Sequence, residues 1–181
     1  MSTISTKHKR ATRRISRGET AMKRAWMIGS TVVIAMMIAA SAIRVSAMTS
    51  DTAEIKALEQ QLIDGVKAKD AKQIMSCYSD DVFAYDVVPP REYVGAAAFQ
   101  KPWQGFLDMF KGPIHAEVND LVINSDGKIA YSRSVQRISG TTNEGKPFDE
   151  TFRITDVYRK SHGKWVIVQE HISGPPQAPR W

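Results

Sequence analysis

The clearest alternation of apolar and polar positions lies between Pro147 and Ser173. Phe152, Ile154, Asp156 and Tyr158 share one side of an extended segment, and Trp165, Ile167 and His171 share one side of a second. Ser161-His162-Gly163 between them reads as a tight turn, so the segment predicts a hairpin of two long strands. A carboxylate and an imidazole on otherwise apolar strand faces predict a pocket floor.

Upstream, the period changes from two to about 3.6. Ile55, Leu58, Leu62 and Val66 recur at helical spacing through Lys69, after Asp51 and Glu54 in a capping-box-like order. Asp70 caps a short second helix, Ala71 to Tyr78, with Ile74, Met75 and Tyr78 inward. Ser79-Asp80-Asp81 predicts a turn into a strand from Val82 to Val87, which stops at Pro89-Pro90 because proline has no N–H for a ladder. Gly95 precedes a third helix, Ala96 to Phe110, which carries Phe99, Trp103, Phe106 and Phe110 on one stripe and Pro102 in its interior. Strands from Ile114 to Asn124 and Ile129 to Gly140 follow, with turns at Ser125-Asp126-Gly127 and Asn143-Glu144-Gly145. Three helices and then long antiparallel strands predict an α+β domain with the helices on one curved sheet face.

Composition changes the picture mainly at the N-terminus. The chain has 181 residues and a net charge of +6. Residues 1–47 hold nine Lys/Arg and one acid, whereas residues 48–181 hold sixteen Lys/Arg against eighteen Asp/Glu. The basic charge therefore belongs to the leader, and the body has no electrostatic case for nucleic acid. Basic residues from Lys7 to Arg24, then an uncharged run from Ala25 to Ile43, have the order of an export signal. Val45-Ser46-Ala47 places cleavage before Met48. The other reading is an uncleaved inner-membrane anchor, since residues 25–43 nearly match the roughly 20 residues that cross a bilayer. The division expected is thus a signal peptide or anchor over 1–47 and one domain over 48–181, exported to the periplasm or secreted, with membrane contact only if the leader is kept.

Cys77 has no cysteine partner and falls in a helical pattern, as a buried structural thiol would. No Cys/His cluster has metal spacing, and neither a Gly-rich phosphate loop nor a Gly-x-Ser-x-Gly elbow occurs, so no metal or cofactor is expected.

The order of helix, short helix, Ser79-Asp80-Asp81, strand, Gly95-Ala96-Ala97-Ala98-Phe99 helix and a final Gly163-Lys164-Trp165-Val166-Ile167-Val168-Gln169-Glu170-His171-Ile172-Ser173 strand resembles the SnoaL-like and ketosteroid-isomerase-like proteins of the nuclear transport factor two superfamily. The C-terminal hairpin is also similar to the association domain of calcium/calmodulin-dependent kinase II. The resemblance implies a cone-shaped barrel of three N-terminal helices packed on a strongly curved, mostly antiparallel sheet, with a pocket in the cone mouth. It also implies a homodimer, formed through the convex sheet face, or a higher homo-oligomer. In the steroid isomerases a proton-shuttling aspartate ends the first strand, and Asp86 takes that place. A carboxylate at an apolar pocket edge suits proton removal beside a carbonyl, because desolvation raises its basicity. Asp156 falls where those enzymes keep a protonated acid that donates to the developing enolate. The place of their first-helix tyrosine is Leu62, which has no proton to give.

Catalytic candidates are therefore Asp86, Asp156 and His171, with Tyr85, Tyr93, Trp103 and Arg133 as ligand-binding candidates. A pocket-facing arginine also occurs in the kinase association domain at the place of Arg133, where it would pair with Asp156. Two functions stand open. One is an exported isomerase- or cyclase-like enzyme that takes a proton next to a carbonyl of a small ligand. The other is a non-catalytic binding or oligomerisation module whose Arg133 pocket holds a small organic acid.

Overall fold

The computed structural model describes residues 50–174. The leader and the closing segment from Pro175 onward lie outside the described residues. Helix α1 covers residues 50–68, followed by α2 (Ala71–Met75), β1 (Tyr78–Tyr85), β2 (Tyr93–Val94) and α3 (Ala96–Asp108). Four long strands complete the unit: β3 (Phe110–Ser125), β4 (Ile129–Thr142), β5 (Pro147–Ser161) and β6 (Lys164–Ser173). The strand order is β2-β1-β6-β5-β4-β3. All neighbours are antiparallel except β1 and β6, which run parallel.

Local chemistry explains most of these boundaries. Asp70 accepts hydrogen bonds from the N–H groups of Lys72 and Gln73, as the N-cap of α2. Asp126 accepts from the N–H groups of Lys128 and Ile129 and closes the β3–β4 turn. His162 and Gly163 take positive φ values of 50° and 78°, which turn β5 into β6. Two expectations are corrected here. The second helix ends at Met75, so Tyr78, expected in that helix, and Ser79 through Asp81, expected as a turn, all belong to β1. The third helix ends at Asp108, so Phe110 belongs to β3 although it still stacks on Phe106 at 5.2 Å.

Register irregularities bend the sheet. β3 shifts twice against β4, between Phe110 and Ile114 and between Asn119 and Val122. β6 shifts once against β5: Val157 pairs with Gln169 but Tyr158 with Ile167, which leaves Val168 as an extra residue. Each extra residue curls the strand and changes which side chains face inward. Inside the curl lie Val82, Ala84, Ile138, Ile154, Tyr158, Trp165 and Ile167, with Ile55, Leu62, Ile63 and Val66 of α1 and Phe99 and Leu107 of α3 packed against them. Cys77 is buried in this core, and burial pushes its thiol up to about 12.

Asp51, expected as a cap, is instead a buried anchor inside α1. It accepts from Lys160 Nζ at 2.9 Å, Ser125 Oγ at 3.2 Å and Trp165 Nε1 at 3.3 Å. These donors tie α1 to the β3–β4 turn and the terminal hairpin. They hold the Asp51 carboxyl below the usual carboxylate range despite the opposing effect of its burial.

Gly65 of α1 lies close against Ile74 of α2. A Cβ there would lie 2.8 Å from Ile74 Cγ1 and 3.1 Å from the Ile74 backbone nitrogen. Overpacking costs about 1–3 kcal/mol, which offsets or outweighs the gain of about 1 kcal/mol in helix propensity. Gly65→Ala should therefore lower unfolding stability by up to about 2 kcal/mol in urea denaturation. An unchanged or raised midpoint would show slack between these helices.

Candidate functional site

The inner faces of β4, β5 and β6 form rows fixed by register. Ser134, Ile154 and Ile172 make one row, and Ser132, Asp156 and Glu170 the next. Ile154 and Ile172 of the first row, with Gln136, Ile138 and Phe152, floor a cavity of about 520 Å³. Helix α3 and its C-cap Met109 supply one wall, with Trp103 and Phe106, and the β1–β2 loop supplies another through Asp86, Val87, Val88 and Pro89. Most of the lining is apolar, which suits an organic ligand with few polar groups. Tyr93 also lines it, with its hydroxyl donating to Pro89 O at 3.0 Å.

Asp86 continues the inward parity of Val82 and Ala84 one step past the end of β1, and so reaches the cavity. Its carboxylate accepts the Val87 N–H at 2.6 Å. Burial raises its pKa above the ordinary aspartate range, against the lowering effect of the Val87 and Val88 amides. Desolvation and, secondarily, the Asp86 charge raise the Tyr93 phenol.

Behind the floor lies a buried polar cluster. Tyr158 donates to Glu59 Oε1 at 2.6 Å and lies 2.7 Å from Ser132 Oγ. Its hydroxyl is 3.5 Å from Asp156 Oδ2. Tyr78 donates to Glu170 Oε2 at 2.7 Å. Glu59, Asp156 and Glu170 are each at most 2% exposed, and one oxygen of each has no donor. Three ionised carboxylates in so small a dry volume would repel one another without a cation to balance them. Burial accordingly raises all three. Asp156 is pushed well above its usual range, helped by the Glu170 and Glu59 charges. Glu170 rises to about 8, with the Glu59 and Asp86 charges adding to its burial. Glu59 rises by burial, opposed by the Tyr158 hydrogen bond. Burial thus favours the protonated, neutral form of both Asp156 and Glu170.

The predicted site residues therefore divide. Asp86, Tyr93 and Trp103 meet at the cavity. Asp156 faces inward as its alternation predicts, but in the cluster behind the floor and outside the cavity lining. His171 is corrected: the Val168 bulge reverses the phase of β6, so Glu170 points in and His171 is exposed. Tyr85 is also corrected, since it lies on the outer face at 37% exposure with its ring 5.7 Å from His171. Arg133 is the third correction. Ser132, Ser134 and Gln136 take the inward positions of β4, so Arg133 stands exposed on the opposite face from Asp156 and the pair does not form. Without it the cavity has no arginine for an organic acid. Arg137 shares that outer face and pairs with Asp149 through two contacts, of 2.8 and 2.6 Å.

The sequence reading missed Glu59, Glu170 and Gln136. Glu59 lies one position from the Leu58 of the apolar stripe, and Gln136 shares parity with Ile138, so helical and strand periodicity held signals for both. Only the bulge reveals Glu170.

A sign follows for pH. Glu170 titrates near 4.5 when unfolded and near 8 when folded. Its contribution to stability is fully present below the lower value and is lost as pH rises through the upper one. Thermal unfolding should therefore move to lower temperature between about pH 5 and about pH 9. Glu170→Gln, which still accepts from Tyr78, should flatten that slope. A slope unchanged in the variant would place the titration elsewhere.

Comparison with known proteins agrees with this architecture. An NTF2-like protein of unknown function from Pseudomonas putida is 27% identical, with a TM-score of 0.64 over 71% of this chain and 89% of that one. A putative calcium/calmodulin dependent protein kinase II association domain from Xanthomonas campestris is 22% identical, with a TM-score of 0.61 over 69% and 88%. A putative scytalone dehydratase from Novosphingobium aromaticivorans shares the fold at 13% identity and a TM-score of 0.65, over 71% and 86%. Residues 55–177 match the SnoaL-like domain, so the chain belongs to the SnoaL-like family.

Proposed function

We propose that this protein is an enzyme acting on a small, mainly apolar carbonyl compound, in which Asp86 removes a proton from the carbon next to the carbonyl. The observation that carries this reading is a carboxylate of raised basicity on the wall of an apolar cavity. Such a base is strong enough to take a weakly acidic C–H proton and, once protonated, can return it to another atom. That pair of steps is isomerisation when the proton returns to carbon, and dehydration when it returns to a departing hydroxyl. Fold relatives named as a putative scytalone dehydratase and a putative aromatic ring hydroxylase support small-molecule chemistry in this scaffold.

Asp156 enters this reading as part of the neutral cluster that limits the field behind Asp86, with no contact to substrate. The basic and apolar order of residues 1–47 supports export of the enzyme; N-terminal sequencing of the protein from its own cell fraction decides between cleavage and anchoring.

The test needs no knowledge of the natural substrate. 1-Tetralone exchanges its C2 protons slowly, and NMR follows their replacement in deuterated buffer. The protein should accelerate this exchange, and Asp86→Asn should reduce the acceleration about a hundredfold or more. The rate should fall as pH drops through the raised Asp86 pKa, because only the ionised form is a base. Exchange that survives in Asp86→Asn removes the proposed role of this residue.

A further inference from the structure

Gln136 is a weakly hydrogen-bonded polar group of the cavity floor, and Trp103 Nε1 on the α3 wall is a second buried donor there, with no hydrogen-bond partner among the described residues. Gln136 is 4% exposed, stands on the inner face of β4 and pairs across the ladder with Phe152. Along its own strand Ser134 precedes it and Ile138 follows on the same face. A carboxamide carries two N–H donors and a carbonyl acceptor. The described contacts include one hydrogen bond, from Nε2 to Ser134 Oγ at 3.5 Å, at the weak limit of such bonds. A buried amide with so little satisfaction is costly unless something in the cavity completes it.

The rest of the lining narrows what that something is. Asp86 sits on the same cavity and would repel an anion. Lys101, the cation of the lining, is exposed on α3. Apolar side chains from α3, β4, β5 and β6 surround the remaining space. We propose that Gln136 orients the ligand by hydrogen-bonding its oxygen, and that the pocket selects uncharged, largely hydrocarbon ketones over carboxylates. This deepens the reading of Asp86 as a base and rests on it. With the carbonyl oxygen held at the floor by the amide, the adjacent carbon is turned towards the wall that carries Asp86, and the carbonyl keeps the electron pair released when its C–H bond breaks.

The experiment compares three ligands of one carbon frame: 1-tetralone, tetralin without the oxygen, and 1-naphthoate with a charge. Dissociation constants come from NMR titration of the full chain, read on the indole N–H of Trp103, which lines the same cavity. The wild-type protein should bind 1-tetralone about threefold to tenfold more tightly than tetralin, the worth of one neutral hydrogen bond, and 1-naphthoate most weakly. Gln136→Met should remove the ketone preference and leave tetralin binding close to wild type. If that variant does not fold, the wild-type series decides alone. Equal wild-type affinity for tetralin and ketone, tightest binding of 1-naphthoate, or a ketone preference retained in Gln136→Met overturns the proposal, as does failure of all three to bind. The two readings fail separately. Ketone affinity that depends on Gln136 without any exchange removes Asp86 as base, whereas Asp86-dependent exchange with affinity indifferent to Gln136 removes the orienting role.

Discussion

One extra residue in the last strand governs how the interior of this domain is arranged. Val168 shifts β6 by one position against β5, so that Tyr158 still faces Ile167 while Asp156 comes to face Glu170. Because side chains alternate with a period of two, the shift exchanges the occupants of the two sheet faces beyond it. Without the bulge, Gln169 would face Asp156, His171 would face Ile154 one row on, and the Glu170 carboxylate would lie outside. With it, two acids meet across adjacent strands in the dry interior, and His171 joins Tyr85 and Arg133 on the outer face.

That pairing forces a charge state on its surroundings. Acids packed against Tyr78, Tyr158 and Ser132 have donors for only part of their oxygen atoms. Burial shifts Glu59, Asp156 and Glu170 towards the protonated form, and each retained proton removes a charge that would otherwise have no cation to balance it. The arrangement separates two environments within one curled sheet. Behind the Ile154 and Ile172 row lies a neutral, hydrogen-bonded cluster; in front of it lies an apolar cavity with Asp86 at its wall. Glu170 senses the Asp86 charge, so an ionised cluster would raise Asp86 further, whereas protonation of the cluster removes that repulsion.

Local signals in the sequence were legible where they act alone. The Asp70 cap, the Ser125-Asp126-Gly127 turn and the terminal hairpin lie where residue chemistry predicts them. Asp86 and Trp103 reach the cavity because strand parity and helix periodicity hold unbroken up to them. Asp51 was misread because an acid before an apolar run has the pattern of a cap, whereas its three donors come from residues far along the chain. Arg133 was placed inward by family resemblance, although the parity of Ile138 and Ala130 points the other way. His171 could not be read correctly, since no composition marks Val168 as a bulge and the phase of everything after it depends on that one residue.

The account stands on the difference between one ionisable carboxylate at the cavity and neutral acids behind it. Carbon-detected NMR of selectively labelled aspartate and glutamate carboxyls, followed from acid to alkaline pH, measures this most directly. The account predicts that Asp86 titrates above the ordinary aspartate range, that Glu170 titrates near 8, and that Asp156 titrates well above the ordinary aspartate range. Titration of Asp156 and Glu170 together at ordinary carboxylate values would contradict it, because the cluster would then be solvated and charged, and the proposed division between a neutral interior and a reactive Asp86 would not exist.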